Sequence, residues 1–240
     1  MNTRRQFHVR MKRALQHMTP SHLAWARITR RTIMRFADKV GLMYFGYVDQ
    51  RDDEHRLVRG HTVSQTHQDN HYCIGSFRGY DVMMVLRNDM VEGLSKGERE
   101  QRCHWLILTI DLHAKYDLPH CYIGHRNREH AFKASFEPLS PLALGSLHSY
   151  SHHFLGDYTI YAKATHAVEI ERMINPQTSE VIAEHFAGAS IEIEDNTIFL
   201  YIESQRPTEA LLEKMLSNGL WLAESIDASY DDIVTSIRED

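Results

Sequence analysis

The stretch HYCIGSFRGYDVMMVLR (residues 71–87) decides the fold. Both halves are rich in aromatic and apolar residues, and Arg78-Gly79 supplies the glycine that a two-residue turn favours. The stretch predicts two antiparallel strands joined by a hairpin. Working outward, WLILTIDLH (105–113) alternates, with Leu106, Leu108, Ile110 and Leu112 on one face and Trp105, Ile107, Thr109, Asp111 and His113 on the other. LMYFGYV (42–48) and PHCYIGH (119–125) read as further strands, while the polar stretches 49–70 and 87–103 read as loops and REHAFKASF as a helix within 126–150. YTIYAKA (158–164) then predicts a strand. Helices over 166–174 and 177–187 split at Asn175-Pro176, and SIEIEDNTIFLYIE (190–203) predicts a hairpin turning at Asp195-Asn196. Pro207-Thr208-Glu209 opens a last helix whose inner face includes Leu212, Met215, Leu216, Leu222 and Ile226, with Asn218-Gly219 as a kink or interruption. The expected class is α+β: N-terminal helices, a central, mainly antiparallel sheet and a C-terminal β-α-α-β-β-α lobe. The corresponding regions are 1–40, 41–150 and 151–240.

The first of these regions is basic. Residues 1–35 hold nine of the 27 Lys and Arg and no acid, so the other 205 residues set 18 basic against 32 acidic side chains. Phe7, Met11, Leu15 and Met18 fall on one face of a helix, and Thr19-Pro20-Ser21 marks a break and a new start. In the second helix Trp25, Ile33, Phe36 and Val40 share a side, opposite Arg27, Arg31 and Arg35. With Arg10, Lys12 and Arg13 of the first helix, these arginines form a cationic face suited to an anionic membrane surface or a partner protein. Nucleic acid fits less well, because the acidic remainder repels a polyanion. An intramolecular use competes: the arginines could meet Glu224, Asp227, Asp231 and Asp232 of the last helix.

No apolar run reaches 18 residues, and the basic N-terminus is not followed by the apolar stretch of a secretory signal. Cys73, Cys103 and Cys121 are odd in number and widely spaced, as suits a reducing compartment and buried small side chains. The expected location is cytoplasmic, peripheral at the inner membrane face.

Motifs for chemistry are sparse. LHSYSHHFLGDY (147–158) sets His148 and His152 four apart, beside His153 and Asp157. Four-residue spacing lets two imidazoles chelate only if the stretch is helical, and it carries no helical apolar stripe. Asp111 and His113 should share a strand face about 7 Å apart, near His120, Cys121 and His125. HQDNH (67–71) lacks the glutamate of a metalloprotease helix, and GLSKG (93–97) lacks the strand–turn–helix setting of a nucleophile elbow. The phosphate-binding glycine patterns G-x-G-x-x-G and G-x-x-x-x-G-K-[ST] are absent. The reading that follows is a non-enzymatic interaction module without a cofactor. The alternative is a metal-assisted hydrolase holding Zn through His113, His120, His148 and His152. The 17 histidines in any case make the net charge sensitive near pH 6.5.

The blocks VGLMYFGYVDQRDDEHRLVRG (40–60), HYCIGSFRGYDVMMVLR (71–87) and NGLWLAESID (218–227) together resemble a family of uncharacterised hypothetical proteins from Saccharibacteria-type candidate-phylum bacteria. The resemblance extends over about residues 35–228. It implies a bacterial, stand-alone protein and brings no catalytic residue with it.

Overall fold

A computed structural model describes residues 20–47, 68–91, 101–114, 117–126, 139–203 and 206–238. The hairpin read from 71–87 is its organising feature. Strand β2 (Gln68–Phe77) pairs with β3 (Tyr80–Val91) from Phe77↔Tyr80 outward. Arg78 (φ 52°) and Gly79 (φ 87°) both take left-handed backbone at the turn, which matches the twist of the flanking strands. The second expected hairpin joins β8 (Ala189–Glu194) to β9 (Thr197–Glu203), with Asp195 and Asn196 at φ 49° and 57°. With β1 (Met43–Phe45), β4 (Gln101–Asp111), β5 (Cys121–His125), β6 (Ser140–Pro141) and β7 (Tyr158–Ala162), these strands form one antiparallel sheet. Its order is β1-β2-β3-β4-β9-β8-β5-β7-β6. Strands from 41–150 and from 151–240 interleave within it.

The helices are α1 (Pro20–Val40), α2 (His152–Asp157), α3 (Ala167–Met173), α4 (Pro176–His185) and α5 (Glu209–Arg238). From β7 onward the order β-α-α-β-β-α appears as expected. Asn175 caps α4, its side chain accepting from Thr178 N, and Pro176 follows where no N–H donor is required.

Leu106, Leu108 and Ile110 of β4 point into the main core, with Ile33 and Phe36 of α1, Ile170 and Met173 of α3, Ile182 of α4, and Leu212, Met215, Leu216, Leu222 and Ile226 of α5. The opposite face is also buried. Trp105 and Ile107 pack there with Tyr72, Val85, Tyr122, Leu139, Phe199 and Tyr201. Both faces of β4 are therefore apolar, which explains its nearly unbroken hydrophobic run.

The structure corrects several expectations. Gln68–Asn70, Asn88–Val91 and Gln101–Cys103 belong to strands rather than loops. The polar residues that suggested a loop satisfy one another instead: Arg87 donates to Asp69 through Nε and Nη2, both at 2.7 Å, and both side chains are wholly buried. Leu112 and His113 lie beyond the end of β4. Trp25, near the start of α1, is 39% exposed, with the Arg206 guanidinium 3.5 Å above its ring. Asn218-Gly219 does not interrupt α5, which is continuous from Glu209 to Arg238. Glycine there serves close approach: a Cβ would meet Ile110 Cδ1 and Leu108 Cδ2 at 2.8 Å. Gly219→Val is thus expected to destabilise the fold by roughly 1–3 kcal/mol through overpacking. Denaturant unfolding checks this, and a loss below about 0.5 kcal/mol would show that α5 lies less tightly on the sheet. The helix expected over residues 7–18, the REHAFKASF helix and GLSKG lie outside the described residues.

Candidate functional site

The histidines of 147–158 sit in a structural corner. Ser151 caps α2 by accepting from Phe154 N at 3.2 Å, and Phe154 is buried. His152 and His153 are exposed on this one-and-a-half-turn helix, with His153 Nε2 3.4 Å from Asp157. The loop before it wraps around one carboxylate. Glu171 of α3, fully buried, accepts from the backbone N–H groups of Gly145, Ser146, Leu147 and His148 at 2.9–3.4 Å. Burial alone would raise the Glu171 pKa, but these four donors outweigh it and hold the carboxyl below its ordinary value. Tyr150 and Tyr158 fasten the same corner by donating to the carbonyls of Ile174 and Phe186.

His113 has a different setting. Its ring stacks on Tyr80 (centroids 4.3 Å apart, 12° between planes), and its backbone N–H donates to Asp227, which also accepts from the Tyr80 hydroxyl. Asp111 instead accepts from Thr197 Oγ1. Cys121 is fully buried in the main core and its thiol is pushed up to about 12, so it carries no thiolate at neutral pH. Among the described residues, one group brings three potential metal ligands together: His120, Glu192 and Glu194. Of the four histidines singled out in the sequence, it includes His120 and not His113, His148 or His152.

The strands explain this convergence. Along β8, Ile191 and Ile193 point into the main core, and Glu192 and Glu194 alternate onto the other face. Cys121 pairs with Ile193 and Tyr122 with Glu192, so His120, one residue before β5, comes beside Glu194. His120 Nε2 lies 3.1 Å from Glu192 Oε1, and Nδ1 lies 4.0 Å from Glu194 Oε1. Glu192 is fully buried, and its Oε2 accepts from the Tyr201 hydroxyl at 2.6 Å. Burial works against the imidazolium, but its hydrogen bond to Glu192, which accepts, and the charges of Glu192, Glu194 and Asp195 raise the His120 pKa overall. Burial and the neighbouring carboxylates Glu192 and Asp195 also raise that of Glu194, against the lowering effect of His120. The signal available in the sequence was the alternation of SIEIE. What it lacked was the register that sets His120 beside it.

Glu194 also lines an open cavity of about 550 Å³ on this face, between the two hairpin ends. Ile74, Met83 and Phe199 provide its apolar surface, and Asp81, Asp111 and Asp195 add acidic groups around it.

The cationic surface lies on α1. Ile33, Phe36 and Ala37 anchor that helix in the core, and Arg27, Arg31 and Arg35 are exposed on its far side. Among the described residues, no ion pair ties any of the three. The one acid sharing that side is Asp38, near the helix end. Ile28, 53% exposed, flanks the arginines. Lys39, not an arginine, reaches α5, at 2.6 Å from Glu213 and 3.7 Å from Glu209. Arg10, Lys12 and Arg13 lie outside the described residues. Among the described residues, no helix is long and apolar enough to cross a membrane.

No protein-family model matches the chain, and no curated protein matches it. Among solved structures, the crystal structure of the mycobacterial trehalose monomycolate transport factor A, TtfA, is similar, with a TM-score of 0.54 at 14% identity. The match covers 85% of this chain and 94% of that one. At that identity the likeness is one of fold.

Proposed function

We propose that this protein is a non-enzymatic interaction module whose basic N-terminal helices engage an anionic membrane surface from the cytoplasmic side. The observation that carries the reading is the row Arg27, Arg31, Arg35 on α1, exposed and held outward by a helix whose other side is built into the core. A stripe fixed in this way presents its charges without first having to order a flexible segment. Ile28 beside it offers apolar area to the headgroup boundary. A protein of similar fold is described as a transport factor, which suits a binding role better than a catalytic one.

Near an anionic surface each Lys or Arg contributes about 1 kcal/mol. Neutralising three of them should therefore weaken vesicle binding by roughly 3 kcal/mol, on the order of 100-fold. The experiment is co-sedimentation of the full chain with phosphatidylglycerol-containing and pure phosphatidylcholine vesicles. Wild type is expected to bind the former only, less strongly at high salt, and Arg27→Gln/Arg31→Gln/Arg35→Gln to lose most of that binding. Wild type that ignores anionic vesicles, or a triple variant that binds like wild type, overturns the membrane reading. In that event, salt-sensitive capture of a protein partner by wild type but not by the triple variant would move the same face to a protein surface.

A further inference from the structure

We propose that His120, Glu192 and Glu194 form a binding site for a divalent transition metal ion of the zinc type. This goes beyond the surface-binding role, which it neither requires nor supports.

The donor set is the first argument. One imidazole and two carboxylates offer one ligand atom each, all within 4.8 Å of one another. Mixed nitrogen and oxygen donors suit Zn(II) and its first-row neighbours. Mg(II) and Ca(II) prefer oxygen alone, and soft ions prefer sulfur. Ligand bonds of about 2.0–2.2 Å place tetrahedral donors roughly 3.4 Å apart. Closing from the present spacing takes movement of His120 and Glu194, whose side chains are 24% and 34% exposed.

The scaffold is the second argument. Glu192 and Glu194 come from alternate positions of β8, a strand paired on both sides in the middle of the sheet. Glu192 is held by the Tyr201 hydroxyl at Oε2, which leaves Oε1 turned toward His120. A ligating carboxylate oriented by a buried hydrogen bond is the support that metal sites require. Three protein ligands leave a coordination position for water, as in sites that exchange their fourth ligand.

Electrostatics is the third argument. Two carboxylates this close repel each other unless a proton or a cation stands between them. Here His120 faces both, at 3.1 Å from Glu192 and 4.0 Å from Glu194. A dication between the two carboxylates would offset that repulsion. Because Glu194 is also a wall of the 550 Å³ cavity, the ion would stand at that cavity's edge.

The test is Zn(II) titration of the chelator-treated full chain by calorimetry, with Co(II) substitution read by visible absorption. The expected result is saturable binding of one ion per chain and the d–d bands of a low-coordinate Co(II) site. His120→Asn and Glu194→Gln should each weaken binding on the order of 100-fold, and Tyr201→Phe, which removes only the orienting hydroxyl, by about 10- to 100-fold. His152→Asn serves as the control and should bind like wild type. Glu194 is partly exposed and glutamine matches its shape, so that variant remains informative if the histidine variant is unstable. The proposal is overturned if wild type shows no saturable site. It is also overturned if His120→Asn and Glu194→Gln bind as wild type does, which would assign the ions to scattered surface histidines.

Discussion

Glu171→Ala should lower the free energy of unfolding by roughly 3–5 kcal/mol, the range for removing a buried charged partner. Four backbone donors, Gly145 through His148, converge on this one carboxylate inside the protein. Removing it leaves all four without their acceptor. For a chain of this size each kcal/mol moves the melting temperature by about 2–4 °C, so a fall on the order of 10 °C is expected. Glu171→Gln should lie between wild type and alanine, because its amide NH₂ faces donors that need an acceptor. The pH dependence has a definite sign. Since the folded carboxyl titrates below its ordinary value, its contribution is fully present above the ordinary glutamate pKa of about 4.3. It is lost as pH falls through the lower, folded value. Wild type should therefore converge on Glu171→Gln as the solution is acidified. An alanine variant within about 1 kcal/mol of wild type would mean that the 145–148 loop does not depend on Glu171.

Breaking the Asp69–Arg87 pair should cost a similar amount. Both side chains are wholly buried and meet through two parallel 2.7 Å hydrogen bonds across the β2–β3 ladder. Asp69→Leu takes away the carboxylate to which the buried Arg87 guanidinium donates, and Arg87→Met takes away that donor. Each should destabilise by about 3–5 kcal/mol. The double variant Asp69→Leu/Arg87→Met should recover a large part of that loss, since two well-packed apolar side chains avoid the desolvation of two ions. Denaturant midpoints of the four proteins give the coupling energy directly. Additive losses would show that the two charges are stabilised by separate partners rather than by each other.

The parts of this fold that were legible in the sequence are those fixed by local chemistry. Arg78-Gly79 and Asp195-Asn196 adopt left-handed backbone that few other pairs tolerate, and Asn175-Pro176 can cap and begin a helix but not continue one. The inner face of α5 followed from its 3.6-residue period. What failed were positions decided by a partner far along the chain. Asp69 and Arg87 resembled loop residues because their ion pair closes across a hairpin, and Gly219 resembled a break because Leu108 and Ile110, its reason for being glycine, lie over 100 residues earlier. The candidate site divides in the same way. Arg27, Arg31 and Arg35 were found by helical spacing. Glu192, by contrast, sits on the polar side of an alternating strand, a pattern that suggests solvent until the other face of the sheet is known to be covered. The histidines of 147–158 drew the eye for their chemistry, while the function of that stretch is carried by its backbone N–H groups, which no sequence displays.

The strand order also bears on how the protein is made. Emerging from the ribosome, β4 has β3 beside it at once, but its other edge waits for β9, with Ile107 opposite Tyr201. β5 likewise waits for β8, with Tyr122 opposite Glu192. Until the residues from Ala189 to Glu203 have been made, these two strand margins stand unsealed, which is where a nascent chain is most prone to associate with its neighbours. The centre of the sheet closes only when β8 and β9 have been made, so a product truncated before Ala189 would leave the inner edges of β4 and β5 open.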